Sequence, residues 1–291
     1  MSATAVEKRA TRVVAARKKR AGAVAITVVL GIAAIAWLSP LALLLITALR
    51  PLSDFIANGA LTWPKQFTTG NFAEAWDVGN FATTYRNSFI ITVVKVPLGV
   101  FFTSLLAYAI AKLRLPGRNF VMFGVFLGLT VPIYIAILPN FIMLRQLGIT
   151  DSLAGLLGPY LAFGIPFEVL VLQSFFRGIP DEIIEAARVD GASPARIFFQ
   201  IVLPLSTPAL VTVAILDGVA TWNEFLMALI ILNSNNNKTI PVGLLNFQGQ
   251  FSNNTTGLAA GILIAVVPVL LAYTVLQRWI VGGLTAGATK G

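Results

Sequence analysis

Cysteine and histidine are both absent from this 291-residue sequence, and Asp, Glu, Lys and Arg together make up only 11% of it. These absences exclude disulfide frameworks, thiolate nucleophiles, the usual zinc sites and the commonest general base. An enzyme built on carboxylates and lysine alone remains open. A soluble domain carries about 25% charged residues. With 57% hydrophobic residues and a mean hydropathy of +0.83, the composition instead predicts a membrane protein.

Six apolar segments are each long enough to cross ~30 Å of hydrocarbon as a helix, at about 1.5 Å per residue. The first follows a basic tail, as a signal peptide would. Its apolar run far exceeds the ~7–15 residues of a signal core, so we predict an uncleaved transmembrane helix. The predicted spans are 21–49, 87–111, 120–144, 153–175, 206–232 and 257–282.

Lysine and arginine are distributed unevenly among the connecting segments. Of the 21 basic residues, 15 lie before span one, between spans two and three, between spans four and five, or at the C-terminal end. The positive-inside rule therefore predicts that both termini and the segment 177–205 lie in the cytoplasm. This orientation and the absence of targeting motifs suit a multi-pass protein of a bacterial plasma (inner) membrane. A net charge of +9 can also indicate nucleic-acid binding. Because these charges flank membrane spans, no nucleic-acid partner is expected.

The segment between spans four and five contains signals for two short helices. Pro180 suits a first helical position, and acidic residues follow it in the first turn. Gly191 suits the left-handed residue that ends such a helix. Ser193 and Pro194 are typical of the N-cap and first residue of a second helix. We therefore predict helices over 180–189 and 194–203 that meet near Gly191.

The same segment carries a recognisable motif. Glu185-Ala186-Ala187, followed by Asp190-Gly191, resembles the EAA loop of ABC importer permeases, in the form typical of the carbohydrate-uptake, maltose-type branch. That family implies an all-α polytopic membrane protein with six transmembrane helices and a cytoplasmic helix-turn-helix coupling loop, the type I importer fold. Other stretches that resemble the family are 71–76, 87–88, 107–109, 138–139, 175–180, 222–224, 241–244 and the C-terminal 283–291.

The resemblance implies a transport subunit rather than an enzyme. Its partners would be a second related permease, two ATP-binding ABC subunits, membrane lipid and an extracytoplasmic solute-binding protein that delivers a carbohydrate. The sequence has no Gly-x-x-x-x-Gly-Lys-Ser/Thr phosphate loop. ATP would therefore be hydrolysed by a separate subunit, and we expect no cofactor on this chain.

The resemblance also assigns roles within the coupling loop. Small and apolar side chains would enter a groove on the ATPase subunit, an acidic one would pair with a basic partner residue, and glycine would allow the turn. An amphipathic loop on the lipid surface is the alternative. The implied coupling residues are Ile183, Glu185, Ala186, Ala187, Asp190 and Gly191.

Charged residues also occur inside the predicted spans, where each costs about 2.5–3.5 kcal/mol at a helix centre. Lys95 and Glu224 lie at similar depths, so we expect them to form a structural ion pair. Glu168 and Asp217 also share a depth, so they should lie on different faces, or one should be protonated. A translocation path lined by these groups is the alternative. The candidate residues for path or pair are Lys95, Glu168, Asp217, Thr221, Asn223 and Glu224.

The sequence thus predicts one transmembrane domain, 21–283, between a basic cytoplasmic tail, 1–20, and a C-terminal tail, 284–291. We expect that tail to be mobile or extended in an isolated subunit and to insert between the ATPases in the complex. The predicted function is permeation of a carbohydrate in an ATP-driven importer. A non-sugar solute is the first alternative, and an ion-coupled secondary transporter that uses Asp217 and Glu224 is the second.

Overall fold

The computed structural model describes the backbone of residues 3–248 and 254–288, and the side chains of 22–248 and 254–277. These residues form helices joined by short turns, and no strand occurs in the part of the chain described. The helices are α1 Ala3–Ala48, α2 Leu52–Asn58, α3 Gly70–Val78, α4 Phe81–Lys112, α5 Arg118–Thr130, α6 Ile133–Gln146, α7 Leu153–Arg177, α8 Asp181–Val189, α9 Pro194–Ile197, α10 Leu203–Leu205, α11 Thr207–Asn223, α12 Leu226–Ile231, α13 Ile240–Gly243 and α14 Thr255–Ala288. A π-helical turn, Phe198–Val202, joins α9 to α10, and a 3-10 turn, Leu244–Phe247, follows α13.

Four helical stretches are long and apolar enough to cross a membrane unbroken: Gly22–Ala48, Phe81–Lys112, Leu153–Arg177 and Thr255–Gln277. Two further pairs are bent, by 99° between α5 and α6 and by 77° between Pro194–Leu205 and α11. The described residues therefore provide four spans, or six if each bent pair counts as one. The prediction of an all-α membrane protein is confirmed, and six is the upper count.

Two predicted spans are not continuous helices. The segment 120–144 is broken where Val131, ψ 111°, precedes Pro132, because proline disfavours helical geometry in the residue before it and lacks an amide hydrogen. The segment 206–232 is broken at Glu224, which is extended with ψ 126°. A third difference concerns the C-terminus. Helix α14 continues to Ala288, so the expectation of an extended tail is wrong as far as that residue, and 289–291 lie outside the described residues.

The centre of the bundle is formed by α4, α7 and α11. Helix α4 packs along α7, and α11 lies against both. Helix α1 packs on α14, and most of its side chains over Gly22–Ala48 are exposed, with Trp37 84% exposed. An apolar surface of this extent fits contact with lipid or with another membrane subunit.

At the end of the bundle that carries α8 and α9, one apolar cluster joins five helices. It includes Tyr108 of α4, Phe176 of α7, Ile184 of α8, Ile197 of α9 and Val213 of α11. All five side chains are at least nine-tenths buried. The hairpin formed by α8 and α9 is therefore part of the bundle core rather than a loose connection.

Candidate functional site

The largest group of buried charge lies between the three central helices. Lys95 of α4, Glu168 of α7 and Asp217 of α11 are 1%, 2% and 7% exposed. We call these three residues the charge cluster. The Lys95 ammonium forms an ion pair with Asp217 and lies 3.5 Å from Glu168 Oε1. Thr103 donates its hydroxyl to Glu168 Oε2 at 2.8 Å. The cluster thus ties α4, α7 and α11 together through side chains.

Two glycines make room for this cluster. A Cβ atom on Gly164 would lie 2.6 Å from Lys95 Nζ and 2.7 Å from Glu168 Oε1, which real structures do not tolerate. A Cβ on Gly99 would lie 3.5 Å from both Glu168 Oε2 and Asp217 Oδ2, in ordinary contact. A side chain at position 164 would therefore force the ends of Lys95 and Glu168 to shift, whereas Gly99 allows the two carboxylates to approach the same point of α4.

The expected ion pair between Lys95 and Glu224 is wrong. That expectation rests on the similar depths of the two residues in the membrane, and depth does not determine the direction in which a side chain points around its helix. Lys95 points to Glu168 and Asp217 instead, and the chain breaks at Glu224, so that residue does not continue the face of α11.

Glu168 and Asp217 were expected either to lie on different faces or to have one acid protonated. The two side chains do not lie apart, because both contact Lys95. Within the described residues, Glu168 Oε1 and Asp217 Oδ2 accept no hydrogen bond. Two carboxylates and one ammonium would leave an excess negative charge, and burial of an uncompensated charge is costly. A single proton on one carboxyl group would neutralise the cluster, in line with the arrangement in which one acid is protonated.

Glu224 has a different role from the one predicted. Its Oε1 accepts the amide hydrogen of Met227 at 2.8 Å, and its Oε2 accepts those of Ala228 at 3.1 Å and the Tyr160 hydroxyl at 2.6 Å. The carboxylate therefore caps the first turn of α12 and joins it to α7. Capping of this kind satisfies amide hydrogens that a helix start leaves unpaired.

A cavity of about 200 Å³ lies between the charge cluster and this helix break. Four of the six candidate residues line it, namely Lys95, Asp217, Thr221 and Glu224. Glu168 does not line the cavity, although it contacts Lys95, which does. Asn223 is exposed and donates its side-chain amide to Val219 O of its own helix at 2.9 Å. The remaining wall is apolar and aromatic, formed by Ile133, Pro159, Tyr160, Phe163, Gly164, Ala220 and Met227.

Tyr160, Phe163 and Gly164 were not among the predicted site residues. Nothing in their local sequence marks them, because they became visible only once α7 was placed against the break in α11. Their position on the helix that also carries Glu168 was the one available signal: Tyr160 and Gly164 are four residues apart, as are Gly164 and Glu168, and side chains at this spacing share a helix face.

The predicted helices between spans four and five are confirmed. Helix α8 begins at Asp181, one residue later than predicted, and α9 begins at Pro194 after Ser193, whose hydroxyl accepts the Arg196 amide hydrogen at 3.2 Å. Gly191 has φ +79°, the left-handed conformation that ends α8. The side of the membrane on which this hairpin lies stays a prediction.

The coupling residues of α8 divide between two faces. Ile183, Glu185, Ala186 and Asp190 are exposed, whereas Ala187 is half-buried against the chain's own apolar cluster. Sequence reasoning missed an apolar neighbour, Val189, which is 88% exposed. It also missed Lys112 at the end of α4, which contacts the start of α8. The exposed face of α8 is therefore not covered by the rest of the described chain.

At the opposite end of the bundle, short turns are fixed by buried or strained residues. Arg50 is fully buried and donates hydrogen bonds to Asp54, Gly59 O and Thr62. Asp151, with φ +55°, accepts the amide hydrogens of residues 233 and 234 at 2.8 and 2.9 Å. Burial acts to raise the pKa of Asp151, but these bonds and those from the Ser234 hydroxyl and the Asn237 side chain outweigh it and lower that pKa.

Comparison with known proteins identifies the family. Residues 95–285 match the model of the binding-protein-dependent transport system inner membrane component. The chain is 34% identical over 267 residues to the arabinooligosaccharides transport system permease protein AraQ of Halalkalibacterium halodurans. This match covers 90% of this chain and 95% of the relative. It is also 34% identical over 278 residues to the trehalose transport system permease protein SugB of Mycobacterium tuberculosis, covering 95% of this chain and 99% of the relative.

A solved structure gives the same result. A chain of a bacterial ABC transporter involved in the import of the acidic polysaccharide alginate matches with a TM-score of 0.76 and 25% identity, over 90% of this chain and 97% of that one. The resemblance to sugar-transport ABC permeases found in the sequence is thus confirmed by the family model, by the relatives and by the fold. This chain belongs to the family of inner membrane components of binding-protein-dependent transport systems, the membrane-spanning permeases of ABC importers.

Proposed function

We propose that this chain is the permease subunit of an ATP-driven importer for a carbohydrate, with the cavity beside the charge cluster on the translocation path. The observation that carries the substrate class is the similarity to two permeases that are named for the transport of arabinooligosaccharides and of trehalose. The cavity wall supports it chemically. Tyr160 and Phe163 offer aromatic surface, and Thr221 and Glu224 offer oxygen atoms, a combination that suits the apolar faces and hydroxyls of a sugar.

The ATPase subunit would dock on the exposed face of α8, in the cytoplasm. Ile183 and Val189 supply apolar surface there, and Glu185 and Asp190 supply negative charge. Apolar residues within a polar surround are typical of protein–protein contacts. Gly191 allows the turn from α8 into α9, because its φ of +79° is open to glycine at no steric cost. A second permease and an extracytoplasmic solute-binding protein complete the proposed complex.

Uptake in a deletion strain tests the substrate class. Cells lacking this chain should lose uptake of radiolabelled trehalose or arabinooligosaccharides and should recover it when the wild-type chain is expressed. Methionine serves as the non-sugar control solute, and its uptake should stay unchanged. Loss of methionine uptake alone would favour the non-sugar alternative. Uptake abolished by a protonophore at constant ATP would favour the ion-coupled transporter, and uptake abolished only by ATP depletion supports the importer.

Co-purification tests the docking surface. A tag on this chain should recover an ATP-binding subunit from solubilised membranes of the native host. Ile183→Asp and Glu185→Gln should reduce that recovery about tenfold or more, as expected when central contacts of an interface are lost. Asp77→Asn removes one negative charge from an exposed residue at the opposite end of the bundle and should leave recovery unchanged. Equal recovery for all three variants would reject docking at α8.

A further inference from the structure

Lys112, the last residue of α4, joins that helix to the start of α8. Its ammonium group donates to Asp181 Oδ1 at 2.5 Å and to Ile179 O at 2.6 Å. The Lys112 side chain is 4% exposed, although Asp181 is 77% exposed. The bond and charge of Lys112 lower the pKa of Asp181, with a smaller contribution from Arg188, so the acid is ionised at neutral pH.

Further contacts hold the same end of α4 to both helices of the hairpin. Arg188 of α8 donates to Lys112 O at 3.3 Å. Tyr108 donates its hydroxyl to Pro194 O of α9 at 3.1 Å, and its ring lies 5.2 Å from that of Phe198. The end of α4 is therefore bonded to the beginning of α8, to its last turn and to the beginning of α9.

Chain connectivity makes these contacts informative. The hairpin is covalently continuous with α7 before it and with α11 after it, so movement of α8 reaches those two helices directly. Helix α4 lies far away in sequence and receives such movement only through side chains. Yet α4 supplies Lys95 to the charge cluster and to the cavity wall. Lys112 and Lys95 are 17 residues apart, or about 26 Å along one helix.

We propose that Lys112 is a positioning residue that transmits movement of α8 to α4, and through α4 to the cavity. The proposal rests on the proposed function, because it assumes that an ATPase subunit moves α8. Its physical basis is that directional bonds from the buried Lys112 ammonium to two acceptors fix the position of α8 relative to the end of α4. Apolar packing is the rival route, since α4 also packs against α7 and, through Tyr108, against the cluster that includes α8 and α9.

The test uses the whole complex, purified from the native host through a tag on this chain and reconstituted in nanodiscs. ATP hydrolysis is measured with MgATP, with and without the solute-binding protein recovered from the same host. Lys112→Met removes the charge and both bonds, and Lys112→Arg keeps a cationic donor. Arg114→Met is the matched control, because Arg114 is exposed and forms no hydrogen bond or ion pair among the described residues.

Lys112→Met should lower the stimulation of ATP hydrolysis by the binding protein about tenfold, a typical size for coupling between sites, at unchanged amounts of assembled complex. Lys112→Arg should retain most of the stimulation, and Arg114→Met all of it. Asp181→Lys, a change on an exposed side chain that leaves the core intact, should also uncouple. The exchange Lys112→Asp with Asp181→Lys should restore coupling in part.

Wild-type stimulation in Lys112→Met, or an exchanged pair no better than either single change, overturns the proposal in favour of apolar packing of α4. If Lys112→Met does not assemble, Asp181→Lys decides, and normal coupling in that variant overturns the proposal. A wild-type complex with no stimulation at all would instead reject the proposed function. The two failures are therefore distinguishable.

Discussion

Replacement of Lys95 by methionine should destabilise the protein far more than an ordinary loss of one lysine. Lys95 is the cation of the charge cluster, and its removal leaves two carboxyl groups that are 2% and 7% exposed without a positive charge. Breaking a buried pair by removal of one partner typically costs about 3–5 kcal/mol. Lys65, which is exposed, provides the control: Lys65→Met should change stability by less than about 0.5 kcal/mol.

The same reasoning predicts a rescue. Adding Glu168→Gln and Asp217→Asn to Lys95→Met removes every charge from the cluster while keeping side chains of similar size. Exchange of a buried ion pair for well-packed hydrophobic residues of similar volume is often neutral or stabilising, and amide side chains likewise leave no uncompensated buried charge. The triple variant should therefore recover most of the stability that Lys95→Met loses. Thr103, which donates to Glu168 Oε2, keeps an acceptor in glutamine.

Thermal unfolding of the complex in detergent, followed by loss of a monodisperse peak on size-exclusion chromatography, measures both effects. All variants are compared at equal expression and in the same detergent. A Lys95→Met protein as stable as wild type would refute the view that the cluster is an ion-paired unit. A triple variant no more stable than Lys95→Met would show that the lysine acts by its shape rather than by its charge.

Three further outcomes are expected. Gly164→Ala should cost about 1–3 kcal/mol, since its Cβ would lie 2.6 Å from the ammonium of the charge cluster, while Gly158→Ala on the same helix, with no atom within 4 Å of the added Cβ, should be harmless in the same unfolding assay. Gly191→Ala should cost about 1–2 kcal/mol and lower recovery of the ATPase subunit, because an L-residue at φ +79° is strained. The lowered pKa of Asp151 means that its contribution to stability is present above its ordinary value of 3.8 and is lost as pH falls through the lower folded-state value. The protection factors of the amides at residues 233–234, which correct for the pH dependence of intrinsic exchange, should therefore fall on acidification below 3.8, and they should already be low at neutral pH in Asp151→Ala.

Local signals predicted the hairpin between spans four and five to within a residue or two. Pro180, Gly191 and Ser193 act through backbone geometry and short-range hydrogen bonds, so their effects are written in the immediate sequence. The apolar runs were equally local, and they located every long helix. The break before Pro132 also had a local signal, since residues before proline disfavour helix. That proline lies inside an apolar run long enough for a whole span, so the length of the run alone predicts one unbroken helix there.

The partners of the buried charges could not be predicted in the same way. The position of a residue along a span gives its depth in the membrane and the side of its own helix on which it lies. Which neighbouring helix that side faces depends on tertiary packing. The helix breaks at Glu224, so Glu224 does not share one helical face with Asp217 and Thr221, although their spacing in the sequence would place all three on one side of an unbroken helix. Lys112 was counted only as a basic residue for topology, and its contact with Asp181, 69 residues later, has no sequence signal.

The cap at the start of α12 also decides what kind of polar group this part of the cavity presents. Glu224 lines the cavity together with Lys95 and Asp217, and its carboxylate accepts the amide hydrogens of Met227 and Ala228. A carboxylate and a helix start offset one another electrostatically. The bonds at this break are therefore made within the chain, and no amide of the first turn of α12 needs an acceptor from a passing solute. With alanine at position 224, those amides would lose their acceptor beside the cavity, which is costly for buried donors.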